Sequence, residues 1–327
     1  MSAPMNDVRA DWAAARNSAA LFDISDRALV ELAGTDAAQF LHNLCTNDIK
    51  TLQPGRGCEF FLTTNKAKVV AHGIAHRMLP GEAGMLWLDL DPGSGAKVVA
   101  HLDRFIVSEQ VEIADRTSAS RQLHLCGSQA TSDLTAVLPA VPSLENLQHA
   151  IVDGCRIVRN DRLGIPGYDL ICPAAQGPEL CNRLARAGAV VAGLETFNIL
   201  RIEAGVPVDG IDIDPERFVV EVGRIKQAIS YTKGCYLGQE PIVMARDRGH
   251  ANRVFMGLKV DAAEPLAPGT KVMRSGEEVG QTTSSVWSPL LQSVVALAYL
   301  KRGSQEVGML VDAGGNKAVV MPLPFAN

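Results

Sequence analysis

From Arg253-Val254-Phe255-Met256-Gly257-Leu258-Lys259-Val260 to Ala318-Val319-Val320-Met321 the chain runs as short strands separated by turns. Ser275-Gly276 and Gly314-Gly315 are hairpin signals, because the turns that match strand twist need residues tolerating positive φ. Pro265, Pro268 and Pro289 punctuate the spacing. Such a pattern predicts a small antiparallel barrel or sandwich of about 75 residues. The change of character around Ala251-Asn252 divides the chain into 1–250 and 251–327. A chain of 327 residues exceeds one hydrophobic core, so the first part is itself expected to be divided.

That first part mixes two periodicities. An alanine-rich helical pattern, Asp11 to Ala20, precedes Leu21-Phe22-Asp23-Ile24-Ser25 and a strand at Ala28–Ala33. Thr35 and Asp36 are N-cap candidates for a helix over Ala37–Leu44, whose apolar residues recur at helical spacing. Region 54–115 predicts β-β-β-α-β: strands at Cys58–Thr63, Lys68–His76 and Met85–Leu90, a helix at Gly95–Arg104, then Val111–Ile113. A second α+β stretch carries strands at Gln122–Cys126, Ala150–Val152, Arg156–Arg159 and Tyr168–Cys172. Helices follow at Pro178–Ala187 and Leu194–Ala204, the latter ended by Gly205. Val206 to Glu221, rich in Pro, Asp and Gly, predicts an extended loop. The fold class is therefore α+β, with two α+β subdomains and a β-barrel.

Composition excludes several function classes. The chain is 47% hydrophobic and 20% charged, with 31 basic and 36 acidic residues and a net charge of −5. A net acidic protein has no global field for nucleic acid, so no direct nucleic-acid partner is expected. No apolar run reaches the length of about 18 residues that spans a membrane, and Met1–Arg16 lacks a signal-peptide apolar segment. A cytoplasmic monomer is the expectation. Seven scattered cysteines without a Cys-x-x-Cys pair argue against a disulfide framework and against the usual zinc or ferredoxin sets. His72 and His76 lie four apart on one predicted strand, about 13 Å apart, too far to share an ion. No metal site is expected.

The densest chemistry lies in Ser230-Tyr231-Thr232-Lys233-Gly234-Cys235-Tyr236-Leu237-Gly238-Gln239-Glu240. Lys233 favours a Cys235 thiolate if the two side chains converge; otherwise it is a solvated lysine beside an inert thiol. Gly234 and Gly238 permit tight turns or close approach to a ligand. Tyr236 stacks or packs; Gln239 and Glu240 bond a ligand or cap the helix that follows. Arg201 and Glu203 are site residues or an exposed helical pair. Asp212 lies in the long loop, where turn formation explains it almost as well as function does.

Lys233-Gly234-Cys235-Tyr236-Leu237-Gly238-Gln239-Glu240 resembles the hallmark of the YgfZ group, folate-binding proteins that support iron–sulfur assembly. Leu200–Gly205 and Gly210-Ile211-Asp212 extend that resemblance. Val279–Ser284, Ala296–Tyr299 and Leu21–Ser25 resemble the wider glycine-cleavage T-protein (GcvT) superfamily. The resemblance implies a ring of two α+β subdomains and a barrel around a tetrahydrofolate cavity. It implies Cys235 and Lys233 as reactive residues at the cavity's mouth. Tyr236, Gln239, Glu240, Arg201, Glu203, Phe197, Asp212 and Arg27 are then folate-binding candidates.

Departures from the superfamily pattern separate its branches. T-proteins carry a carboxylate on the strand after the Asn-containing turn, where Ala71 and His72 stand here. Their pterin-gripping glutamate falls at Ile165, and Met244 stands where YgfZ proteins usually have arginine. Arg27 replaces an aromatic residue, while Phe197 keeps one. Aminomethyl transfer needs such carboxylates for acid–base help, so this reading expects no aminomethyltransferase. It expects instead a tetrahydrofolate-binding accessory for assembly or repair of iron–sulfur clusters, with transient client proteins that include tRNA-modifying radical enzymes. A single thiol cannot hold a cluster alone, so the cluster reading requires a partner chain or small thiols. The alternative is a folate-dependent one-carbon transferase or demethylase using His72 or Asp212 as acid–base.

Overall fold

The computed structural model describes residues 7–81, 86–249 and 251–325. Helix α1 (Val8–Asn17) is capped by Asp7, whose carboxylate accepts from the Arg9 and Ala10 amides. Strands β1 (Ala20–Asp23) and β2 (Ala28–Ala33) then enter different sheets. Asp36 takes the N-cap position of α2 (Ala37–Leu44), but its carboxylate accepts from the Gln110 amide rather than from the helix. Next come β3 (Gly57–Thr63), β4 (Val69–Arg77), β5 (Leu86–Leu90), α3 (Gly95–Asp103) and β6 (Glu112–Asp115). They form an antiparallel sheet ordered β3-β4-β5-β2-β6 over a core that includes Leu41, Phe60, Leu62, Leu88 and Leu102. The expected β-β-β-α-β run is present; the insertion of β2 between β5 and β6 was not legible, since alternation does not say which strands pair. Met85, expected to open the third strand, lies outside the described residues.

The second sheet has the order β11-β1-β7-β10-β9-β8. Its members are β7 (Ser120–Cys126), β8 (His149–Val152), β9 (Cys155–Arg159), β10 (Gly167–Pro173), β11 (Val190–Ala192) and β1 from the N-terminus. Helices α4 (Ala130–Val137) and α5 (Gly177–Ala187) cover a core including Leu125, Leu134, Ile157, Leu170 and Leu184. Neither α4 nor β11 was expected. Thr131, Ser132 and Thr135 weaken the helical signal in α4, and β11 has only three residues.

The two sheets meet along a short seam. The Gly57 amide donates to Leu147 O (2.7 Å), and the His149 amide to Gly55 O (2.8 Å). His76 on β4 and His149 on β8 pack edge to face at 5.7 Å. His76 Nδ1 and both His149 ring nitrogens find no hydrogen-bond partner. Burial pushes His76 down to about 4, against the pull of Asp89, and His149 down to about 3. Both rings are therefore neutral in the folded protein at neutral pH. As pH falls below 6.5, the unfolded chain takes up these protons first, so stability drops until the folded pKa values are reached. Unfolding free energies from urea titrations should fall by about 3 kcal/mol between pH 7 and pH 4 from His76 alone, and His76→Phe should flatten that dependence.

Helix α6 (Leu194–Glu203) ends before Gly205 at φ +68, and a long loop leads to the short α7 (Ile225–Ala228) and to α8 (Gln239–Arg248). Glu203 ties the parts together: Trp12 Nε1 (2.9 Å), Arg16 (3.1 Å) and Ser288 Oγ (2.6 Å) all donate to it. The C-terminal strands are β12 (Arg253–Val260), β13 (Lys271–Arg274), β14 (Glu277–Ser288), β15 (Ser293–Lys301), β16 (Leu310–Ala313) and β17 (Asn316–Met321). They close as a barrel because β12 pairs with both β15 and β17. Both expected hairpin turns have positive φ at their two central residues. Among the described residues no helix is long and apolar enough to cross a membrane, and no group of three or more His, Cys, Asp or Glu is placed to hold a metal ion.

Candidate active site

A cavity of about 560 Å³ lies where the sheets, α6 and the C-terminal segment converge. Ile74, Leu147, Leu163, Phe197, Val206 and Pro207 give it apolar walls. Polar groups enter from several directions: Glu59 and His72 from the first sheet, Asn160 to Arg162 from the β9–β10 loop, Arg201 from α6, and Arg224 and Gln227 from around α7.

The register of β3 and β4 places Phe61 opposite His72. Glu59, two residues along the same face, therefore lies diagonal to His72 and within side-chain reach. His72 Nε2 and Glu59 Oε1 are 2.7 Å apart, and Arg224 grips both Glu59 oxygens at 2.6 Å. Burial alone would raise the Glu59 carboxyl, but the bonds from Arg224 and His72 outweigh it and hold Glu59 at about 2. A carboxylate only accepts hydrogen bonds, so His72 donates through Nε2 and the contact fixes the orientation of the ring. This is the arrangement of an oriented general base.

Beside it runs a buried chain of charges. Arg27 donates to Asp89 and Asp91, each at 2.7 Å. Arg162 donates to Asp89 (2.6 Å) and Asp169 (2.5 Å), and Asp169 also takes His124 Nδ1 (2.8 Å) and Asn160 Nδ2 (2.7 Å). Burial opposes ionisation of Asp169, but Arg162 and His124 together drive its pKa far below the usual carboxylate range. Three carboxylates face two guanidinium groups, with N–H groups of His124, Asn160 and Asp209 filling further acceptor sites, and the network ties the Asn160–Gly164 wall to β5 and β10.

The structure divides the residues singled out in the sequence. Arg27, Phe197 and Arg201 line the cavity. Asp212 is 1% exposed, with its oxygens taken by Arg201, the Val208 amide, Thr283 and Ser284, so it has no free lone pair directed at a substrate. Its acid–base role is corrected on that ground, and Glu203 is likewise committed to Trp12, Arg16 and Ser288. Tyr236 is buried in an apolar cluster, Glu240 is exposed on α8, and neither they nor Gln239 line the cavity.

Lys233 and Cys235 do not stand at the cavity's mouth. They line a separate shallow pocket with Gln39, His42, Asp48 and Lys50. The reason is the C-terminus of α2, which ends on unpaired carbonyls. Lys233 Nζ donates to the carbonyls of His42, Cys45 (2.9 Å) and Asn47 (2.8 Å), using all three of its protons, and lies over the Tyr236 ring. Burial lowers its pKa. Lys233 is thus a helix clamp rather than a partner for the exposed Cys235 thiol. Lys233→Met should lose about 3 kcal/mol in urea denaturation, because three carbonyls lose a charged donor. Gly238 holds φ +83, and a Cβ there would sit 2.5 Å from Thr63 Oγ1, which explains one glycine of the motif; Gly234 meets nothing.

Residues 3–233 match the model of the GCVT N-terminal domain, and residues 253–326 match the glycine cleavage T-protein C-terminal barrel domain. The chain belongs to the glycine-cleavage T-protein family. Within that family it is 29% identical to an aminomethyltransferase of Rubrobacter xylanophilus, over 97% of this chain and 86% of the relative. The aminomethyltransferase of Moorella thermoacetica is also 29% identical, over 95% and 87%. A putative chloroplastic transferase of Arabidopsis thaliana is 26% identical, over 94% and 72%. The glycine cleavage aminomethyltransferase of Bartonella henselae has the same fold, with a TM-score of 0.88 at 22% identity, over 100% of this chain and 91% of that one.

This kinship overturns the expectation that aminomethyl chemistry is absent, which rested on carboxylates missing from two positions. A carboxylate does stand beside His72: Glu59 reaches it from the neighbouring strand. Ile165, at the place of the pterin-gripping glutamate, is packed in the core and does not line the cavity; Asp161 does. The T-protein resemblance is established, whereas the YgfZ branch is not singled out by these relatives.

Proposed function

We propose that this protein is a one-carbon transferase that moves an aminomethyl or methyl carbon onto a reduced folate. The carrying observation is the His72–Glu59–Arg224 arrangement on the wall of a cavity of about 560 Å³. The cavity suits tetrahydrofolate: Phe197, Ile74 and Leu163 offer apolar contact, and Asn160 and Asp161 offer polar atoms for a heterocycle. Bound there, the folate supplies nucleophilic nitrogen. His72, oriented through Nε2 by Glu59, would accept the proton released by that nitrogen and, in aminomethyl transfer, would return it to the departing amine, with Glu59 steadying the charged ring. Arg224 holds Glu59 in place, and the apolar walls exclude water.

Purified protein given tetrahydrofolate and an aminomethyl donor should form a one-carbon folate; no product across pH 6–9 with folate bound would refute the proposal. A second reading keeps the iron–sulfur accessory role for client enzymes and rests on the exposed Cys235 beside its own pocket. It predicts lost support of cluster enzymes in Cys235→Ala cells, with folate affinity unchanged.

A further inference from the structure

Two of the seven cysteines are neighbours in a way their sequence spacing does not announce. In the antiparallel pair β9–β10, Ile171 lies opposite Arg156 and Tyr168 opposite Arg159, so the register sets Cys172 opposite Cys155. The Asn160 amide donates to Gly167 O at the other end of the ladder. Hydrogen-bonded and non-hydrogen-bonded pairs alternate from there, which makes 155/172 a non-hydrogen-bonded pair with a Cα separation of about 4.5 Å. That separation lies within the range a disulfide spans. Both side chains lie in the same buried cluster, and each thiol perturbs the other's ionisation.

We propose that Cys155 and Cys172 form a redox pair that closes to a cross-strand disulfide when a peroxide is the oxidant. Cys172 attacks first. The neighbouring Cys155 and the charge of Arg121, which lies opposite Cys172 on β7, lower the Cys172 pKa against the cost of burial, while the neighbouring Cys172 and burial hold Cys155 protonated. Cys172 sulfur takes one peroxide oxygen and becomes a sulfenic acid, and the other oxygen leaves as hydroxide. Cys155 then displaces the sulfenic oxygen, its proton leaving with that oxygen as water; two thiols and one peroxide give one disulfide and two waters. The pair lies at the end of the sheet. Exposed Asp153-Gly154 precede Cys155 and exposed Pro173 to Gln176 follow Cys172, so local opening there admits a small oxidant. The two strands run on to Asn160 and Gly167, which bound the cavity-wall loop.

The test is peptide mapping of the full chain after graded hydrogen peroxide, with free thiols alkylated before and after unfolding. The expected product has lost two hydrogens and contains a linked Cys155–Cys172 peptide that reductant releases. In Cys155→Ser, dimedone should label Cys172 instead. Both thiols remaining alkylatable while Cys235 is consumed would overturn the proposal. A linked peptide joining Cys172 to Cys181 would overturn it too.

Discussion

Replacing Arg162 with methionine is expected to lower stability by about 4 kcal/mol, the usual loss when one partner of a buried ion pair is removed. Arg162 bridges Asp89 on β5 and Asp169 on β10, and both carboxylates are almost fully buried. Without it, Asp169 keeps only His124 and Asn160, and Asp89 keeps only Arg27. Burial lowers the pKa of His124, so it brings no positive charge at neutral pH. The variant should melt roughly 10 °C lower. Arg162→Lys should lose less stability, because charge is kept and only the two-pronged geometry is lost. A loss below about 1 kcal/mol for the methionine variant would show that the network is solvated and not structural.

The second large effect concerns chemistry. His72→Asn and Glu59→Gln are each expected to slow one-carbon transfer about 10²–10⁴-fold, the range for loss of an acid–base group or its orienting partner. Folate affinity should barely change, since the ligand's contacts lie mainly with the apolar walls and the Asn160–Gly164 loop. Single-turnover rates and equilibrium titrations separate the two quantities. Arg224→Ala leaves the His72–Glu59 contact in place but unlocked, so it should fall between these variants and wild type. Equal rates in all four proteins would remove His72 from the mechanism.

The barrel, both hairpin turns and the β-β-β-α-β run were legible because each depends on local periodicity or turn chemistry. Strand β1 was not, since nothing in Ala20–Asp23 says that it pairs with β7 and β11 in a sheet formed later in the chain. The same limit governed the site. Reading one strand at a time shows a carboxylate missing beside His72, because the carboxylate that serves it is thirteen residues away on the partner strand. The signal was available in the alternation of Cys58–Thr63 against Lys68–His76, once a register was assigned. Lys233 misled in the opposite sense. A lysine two residues from a cysteine suggests a tuned thiol, but the unpaired end of α2 claims its protons, a demand visible only in three dimensions.

The central claim is that a reduced folate occupies the cavity between the two sheets and not the shallow pocket beside Cys235. Hydrogen–deuterium exchange with and without tetrahydrofolate tests it directly. Protection is expected in β3 and β4 around Glu59 and His72, in the Asn160–Gly164 loop, and in α6 from Phe197 to Arg201. Protection confined to Gln39–Thr51 and Thr232–Cys235, with the cavity strands unchanged, would contradict the account.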